Sequence, residues 1–132
     1  DGELIVLAPG VSQFGEDREI DRLIREYGYI GTDRVLEAVK KYDDIKKNLS
    51  AAAHLIHGSS DNRFTITYSP GRLSREEIEA VNFRYADLSE MKKRYDPAKL
   101  QDGFNSVGGG EEIYFISNPA IGLWSYRERF NN

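Results

Sequence analysis

Five apolar residues in succession, Leu4-Ile-Val-Leu-Ala8, closed by Pro9-Gly10, constrain this chain more than any other stretch. A strand exposed on one face alternates polar and apolar residues. A run without alternation, with β-branched Ile5 and Val6 inside it, is what a strand buried on both faces shows. The pattern therefore predicts a central strand of a parallel sheet. In such sheets the loops after the strands form the crevice where ligands sit. Ser12, Gln13 and Phe14, in the loop that follows, are the first candidate substrate-binding residues.

Beyond that loop the apolar period becomes helical. Ile20, Leu23, Ile24 and Tyr27 share one face of a helix that Asp17 can cap and Gly28 can end. A second helix is expected from Thr32, as its cap, to about Tyr42, with Val35, Leu36 and Val39 inward; Asp43-Asp44 then breaks the run. A third follows Asn48, with Leu49, Ala52, Ala53 and Ile56 as its apolar stripe. Ser50, His54 and His57 fall on another side of it, at spacings that let them face one ligand.

Phe64–Tyr68 reads as a strand with two threonines on its second face. Ser74–Glu77 is a capping box opening a short helix. Phe83–Ala86 is a short strand, Asp87–Glu90 a second capping box, and Leu88, Met91 and Tyr95 the stripe that follows. Gln101–Gly110 reads as a long irregular loop and Glu112–Ile116 as a last strand. Asn118, before Pro119, ends that strand and suggests a shaped edge, which makes it a further substrate-binding candidate. The tail around Trp124 is expected to pack back on the sheet or to complete a contact with further sequence.

Apolar strands separated by one-sided helices predict an α/β fold, a three-layer sandwich with a mainly parallel sheet of about four strands and a long helical crossover. The 132 residues are enough for one such domain. Because the chain begins without methionine and enters a strand at once, it is expected to be the C-terminal domain cut from a longer two-domain protein.

Composition narrows the function. The net charge of −4 comes from interspersed signs, so no basic patch points to nucleic acid. The apolar runs are far short of a membrane span. The absence of cysteine removes disulfides and thiolate metal sites and agrees with a cytoplasmic location. Glycine spacing fails every phosphate-cradling motif: Gly10 and Gly15 lack a third partner in register, and Gly108–Gly110 precede a strand rather than a helix.

His54 and His57 are the only histidines. Imidazole exchanges protons near neutral pH or ligates metals, so the pair is read as catalytic or substrate-facing. Equally, one can be hydrogen-bonded at the helix end and the other exposed. Metal ligation wants a third ligand that the helix does not supply. A hydrolase built on His54 with Asp17 or Asp87 lacks a nucleophile at a strand-to-helix turn. The tyrosines are assigned to structure.

Gly2–Gly10, Phe14–Asp17, Asn48–Gly58 and Ile116–Pro119 together resemble the C-terminal part of the nickel-dependent lactate racemase family, over essentially the whole chain. The resemblance implies a two-domain α/β isomerase that interconverts stereoisomers of a 2-hydroxy acid in an interdomain cleft. It implies a nickel pincer nucleotide held by the N-terminal domain, so this chain carries no cofactor or metal ligand and is inactive alone. Its partners are then the hydroxy acid and the N-terminal domain. The family's cleft helix looks like Asn48–Gly58, but the glutamine and lysine expected there are replaced by Ser50, His54 and His57, which puts lactate itself in doubt. The rival expectation is a non-enzymatic α/β domain that binds a ligand or a protein.

Overall fold

A computed structural model describes residues 2–118. The Trp124 tail lies outside the described residues. The chain divides into two compact units, one running to Met91 and the other starting at Lys92.

The first unit is a mixed α/β fold, a parallel three-stranded sheet flanked by helices. Its strands are β1 (Glu3–Ala8), β2 (Thr65–Pro70) and β3 (Arg84–Tyr85), in the order β1-β2-β3. Four helices connect β1 to β2: α1 (Arg18–Tyr27), α2 (Thr32–Lys41), α3 (Asp43–Lys46) and α4 (Leu49–His57). α5 (Arg75–Ala80) connects β2 to β3, and α6 (Leu88–Arg94) follows β3.

The strand expected at the sheet centre is at its edge. β1 pairs with β2 alone among the described strands, leaving Leu4 exposed and Ile5, Val6 and Leu7 half-buried. The central position belongs to β2, whose alternation puts Ile66 and Tyr68 on one face and Thr65, Thr67 and Ser69 on the other. Register carries the division into β1: Leu4 and Val6 lie beside Ile66 and Tyr68, while Glu3 shares the opposite face, where its Oε2 accepts from Thr67 Oγ1 at 2.5 Å.

Helix ends follow local chemistry in most places. Asp17 accepts from Ile20 N at 2.8 Å, Asn48 accepts from Ala51 N at 3.1 Å, and Ser74 with Glu77 forms a complete capping box. Thr32 does not cap α2; Gly31 holds that position at φ 101° and Thr32 lies inside the helix. The run of α2 ends at Lys41 with Tyr42 extended, as expected ahead of Asp43-Asp44, and that pair then opens α3 with Ile45 fully buried.

The core joins Leu23 and Ile24 of α1, Val35 of α2, Ile45, Leu55 of α4, and Ile78 and Val81, all without solvent exposure. Two helices are rotated from their sequence-based faces. α2 buries Val35 and Ala38 and leaves Leu36 exposed; α4 buries Ala51, Ala52 and Leu55 and leaves Leu49 and Ala53 outside. α4 is apolar on nearly every side, and there the period alone does not say which stripe finds the core.

In the second unit the expected irregular loop contains a strand. β4 (Gly103–Val107) pairs antiparallel with β5 (Glu111–Phe115), and Gly108–Gly110 forms the tip between them. The last strand thus pairs in a hairpin and does not join the parallel sheet. Gly109 and Gly110, each at φ 79°, turn the chain where other residues would be strained.

Candidate functional site

The sheet face that carries Leu4, Val6, Ile66 and Tyr68 is the floor of an open hollow of about 420 Å³. One wall is the loop from Val11 to Glu16, and the other is the last turn of α4 with Gly58 and Ser59. The site therefore lies along the face of the sheet beside the edge that β1 forms among the described strands.

The loop is fixed from both ends. Ala8 O accepts from Val11 N at 3.3 Å, and Asp21 Oδ1 accepts from Phe14 N at 2.6 Å. Phe14 is only 4% exposed, with the Arg25 guanidinium 5.3 Å from its ring centroid. Arg25 is in turn bonded to Asp21 and Glu77, and the Glu77 bond is the chief cause of its raised pKa. This clamp makes Phe14 a packing residue of the wall more than a free contact surface.

Three aromatic rings close the inner end. Tyr29 stacks on Phe83 at 4.3 Å between centroids, and Phe83 stacks on Tyr68 at 5.6 Å. Tyr29 Oη lies 3.3 Å from His54 Nδ1. Burial pushes the Tyr29 hydroxyl well above the usual phenol range, with the neighbouring Tyr68 adding to the effect; burial also raises Tyr68.

Of the residues singled out in the sequence, Gln13, Phe14, His54 and His57 line this hollow. Ser12 and Ser50 are exposed and are not among its lining residues. Asn118 belongs to the second unit. Sequence reasoning missed Tyr29, Tyr68 and Phe83. Tyr29 is 25 positions from His54, and no spacing rule connects residues brought together across separate elements. The one local signal is that Tyr29 lies between Gly28 and Gly31, off the helical stripe of α1.

Among the described residues no three His, Cys, Asp or Glu side chains are placed to hold a metal ion. Among the described residues, too, no helix is long and apolar enough to cross a membrane.

No protein-family model matches the chain, and no curated protein matches it. A crystal structure of a Thermotoga maritima protein, whose description carries no functional name, is 29% identical with a TM-score of 0.55. The match covers 69% of this chain and 24% of that one, so the chain corresponds to about a quarter of the length of this relative.

Proposed function

We propose that the first unit is an α/β ligand-binding domain whose site is the hollow between β1, the Val11–Glu16 loop and the end of α4. The carrying observation is an apolar floor with two imidazoles lining the same space of about 420 Å³. Small-molecule sites are largely apolar concavities of roughly 300–1,000 Å³ with a few polar groups that set orientation. Leu4, Val6 and Ile66 offer surface for an apolar body, and His54 and His57 offer the orienting groups.

The test is an NMR titration of the chain with a panel of small amphipathic molecules. Saturable shifts confined to residues of the hollow are expected. Shifts that map elsewhere, or none at all, would reject the site.

A second reading is supported by the match that spans only 24% of the Thermotoga chain. In this reading the hollow is one wall of an interdomain site in a lactate-racemase-like isomerase acting on a 2-hydroxy acid, and the nickel group belongs to the other domain. A strand from outside the described residues would extend the sheet beyond the free edge of β1, completing a four-stranded, three-layer sandwich. Closing such a cleft excludes water and orients the polar groups. His54→Ala in the full-length protein is then expected to lower turnover or substrate affinity at least about tenfold, the scale of a lost orienting or proton-transfer group. Unchanged kinetics in a well-folded variant would remove His54 from the chemistry.

A further inference from the structure

Resting on the reading of the hollow as a binding site, we infer that Tyr29 fixes the tautomer of His54, leaving its Nε2–H as a donor for a neutral acceptor oxygen on the ligand. The class of ligand is an apolar, preferably aromatic, body bearing a ketone, amide or ether oxygen.

Tyr29 Oη and His54 Nδ1 share one hydrogen bond. If the proton sat on Nδ1, the phenol O–H would need a second acceptor, and among the described residues the Tyr29 hydroxyl forms no other hydrogen bond. Either arrangement leaves one donor without a protein partner, and that costs more at the half-buried phenol than at the exposed His54 ring, whose Nε2–H stays open to solvent. The phenol therefore donates and Nδ1 accepts. A neutral imidazole with a bare Nδ1 carries its proton on Nε2, the only ring nitrogen left for a ligand. The raised pKa of Tyr29 keeps its hydroxyl protonated across the neutral range.

The phenol is held in place for this task. Its ring stacks on Phe83 and packs against Gly58, where a Cβ would lie 2.9 Å from Tyr29 Cδ1. A ring already confined loses little further entropy in keeping the bond. Tyr29 is thus a positioning residue, and His54 is the group that meets the ligand.

Charge favours a neutral partner. His54 and His57 occupy the last turn of α4, where the carbonyl end of a helix carries partial negative charge. Glu16 lines the same hollow. A carboxylate on the ligand would meet like charge from both, whereas a carbonyl or ether oxygen accepts from Nε2–H without that repulsion. His57 also lines the hollow but has no hydrogen-bonded ring nitrogen among the described residues, which makes it an internal reference.

Long-range nitrogen–proton NMR on the whole chain, at a pH where both imidazoles are neutral, reads the tautomers directly. His54 is expected to show the resolved pattern of the Nε2–H form, and His57 an average of two forms. Tyr29→Phe keeps the ring and its stacks, and should move His54 toward the His57 pattern. An averaged His54 in the unmodified protein, or no change in Tyr29→Phe, would overturn the inference. Ethylbenzene, acetophenone and benzoate then serve as probes that share an aromatic ring and differ in the group attached. Acetophenone should bind at least about threefold tighter than the other two, the scale of one net hydrogen bond, and have its affinity reduced by no more than about twofold in Tyr29→Phe, where an averaged His54 still presents Nε2–H in about half of the molecules or more. Equal binding of acetophenone and ethylbenzene would overturn the donor role. If none of the three shifts a resonance of the hollow, the binding site fails, and the tautomer measurement still decides the role of Tyr29.

Discussion

The carboxylate of Asp61 holds the start of a helix that begins 29 residues earlier: Oδ1 accepts from Thr32 N at 2.8 Å and Oδ2 from Thr32 Oγ1 at 2.9 Å. Gly31, at the N-cap of α2, has no side chain for the purpose. Asp61→Ala should therefore cost about 1 kcal/mol for the lost cap, with added strain because Asp61 sits at φ 50°. Asp61→Asn keeps an acceptor and tolerates that backbone, so urea unfolding should place it between the two. The bonds from the Thr32 backbone and hydroxyl lower the Asp61 pKa. A lowered carboxylate stabilises above its unfolded pKa and loses that contribution as pH falls through its folded value. Acidification below about pH 4 should accordingly destabilise the unmodified protein more steeply than Asp61→Asn.

The same pair shows where sequence reading runs out. Caps made within four residues, such as Asp17, Asn48 and the Ser74–Glu77 box, follow from local chemistry and were legible. A cap delivered from the α4–β2 turn was not, because nothing near Thr32 announces it. Leu4–Ala8 teaches the complementary lesson. Its uninterrupted apolar run identified a strand correctly, but a composition suited to burial on both faces does not say that both faces are covered among the described residues. In the hollow, the loop residues Gln13 and Phe14 and the imidazoles were legible from position and chemistry. The aromatic stack behind them depends on long-range packing of Tyr29, Phe83 and Tyr68, and sequence spacing is silent on it.

Gly58 is required by its neighbour more than by its own backbone. Its φ of −82° suits any residue, yet an added methyl would overlap the ring of Tyr29. Gly58→Ala must push that ring away from Phe83 or lift the end of α4. The expected loss is about 1–3 kcal/mol, as for an overpacked interior, together with weakening of the Tyr29–His54 bond seen as a change in the His54 ring signals. An unperturbed His54 in a folded Gly58→Ala protein would mean that the ring moves without consequence.

Ser69 presents the opposite case, a buried polar group with nothing to bond. Its side chain is fully buried in β2, and its Oγ has no hydrogen-bond partner among the described residues. Removing an unsatisfied hydroxyl removes a desolvation cost while leaving a gap of one atom. Ser69→Ala should therefore be neutral or stabilising, by up to about 1 kcal/mol, in thermal or urea unfolding. A clear loss of stability would show that the hydroxyl is satisfied in solution.

A close backbone approach joins the ends of β1 and β2. Gly71 N donates to Ala8 O at 2.9 Å, and a Cβ on Gly71 would overlap the carbonyl oxygen of Pro9 and lie 2.6 Å from its carbon. Those are backbone atoms and cannot swing aside, so Gly71→Ala should open the strand ends and cost about 2 kcal/mol or more, the upper part of the ordinary mutational range. Gly10 has no atom within 4 Å of its added Cβ, and Gly10→Ala should change stability by no more than about 0.5 kcal/mol. Ala8 O also accepts from Val11 N, so the same opening loosens the loop that walls the hollow. Gly71→Ala is therefore expected to weaken binding of an aromatic probe at temperatures where the variant is still folded, whereas Gly10→Ala leaves it unchanged. Equal stabilities for the two variants in urea unfolding would show that the strand ends are free to separate.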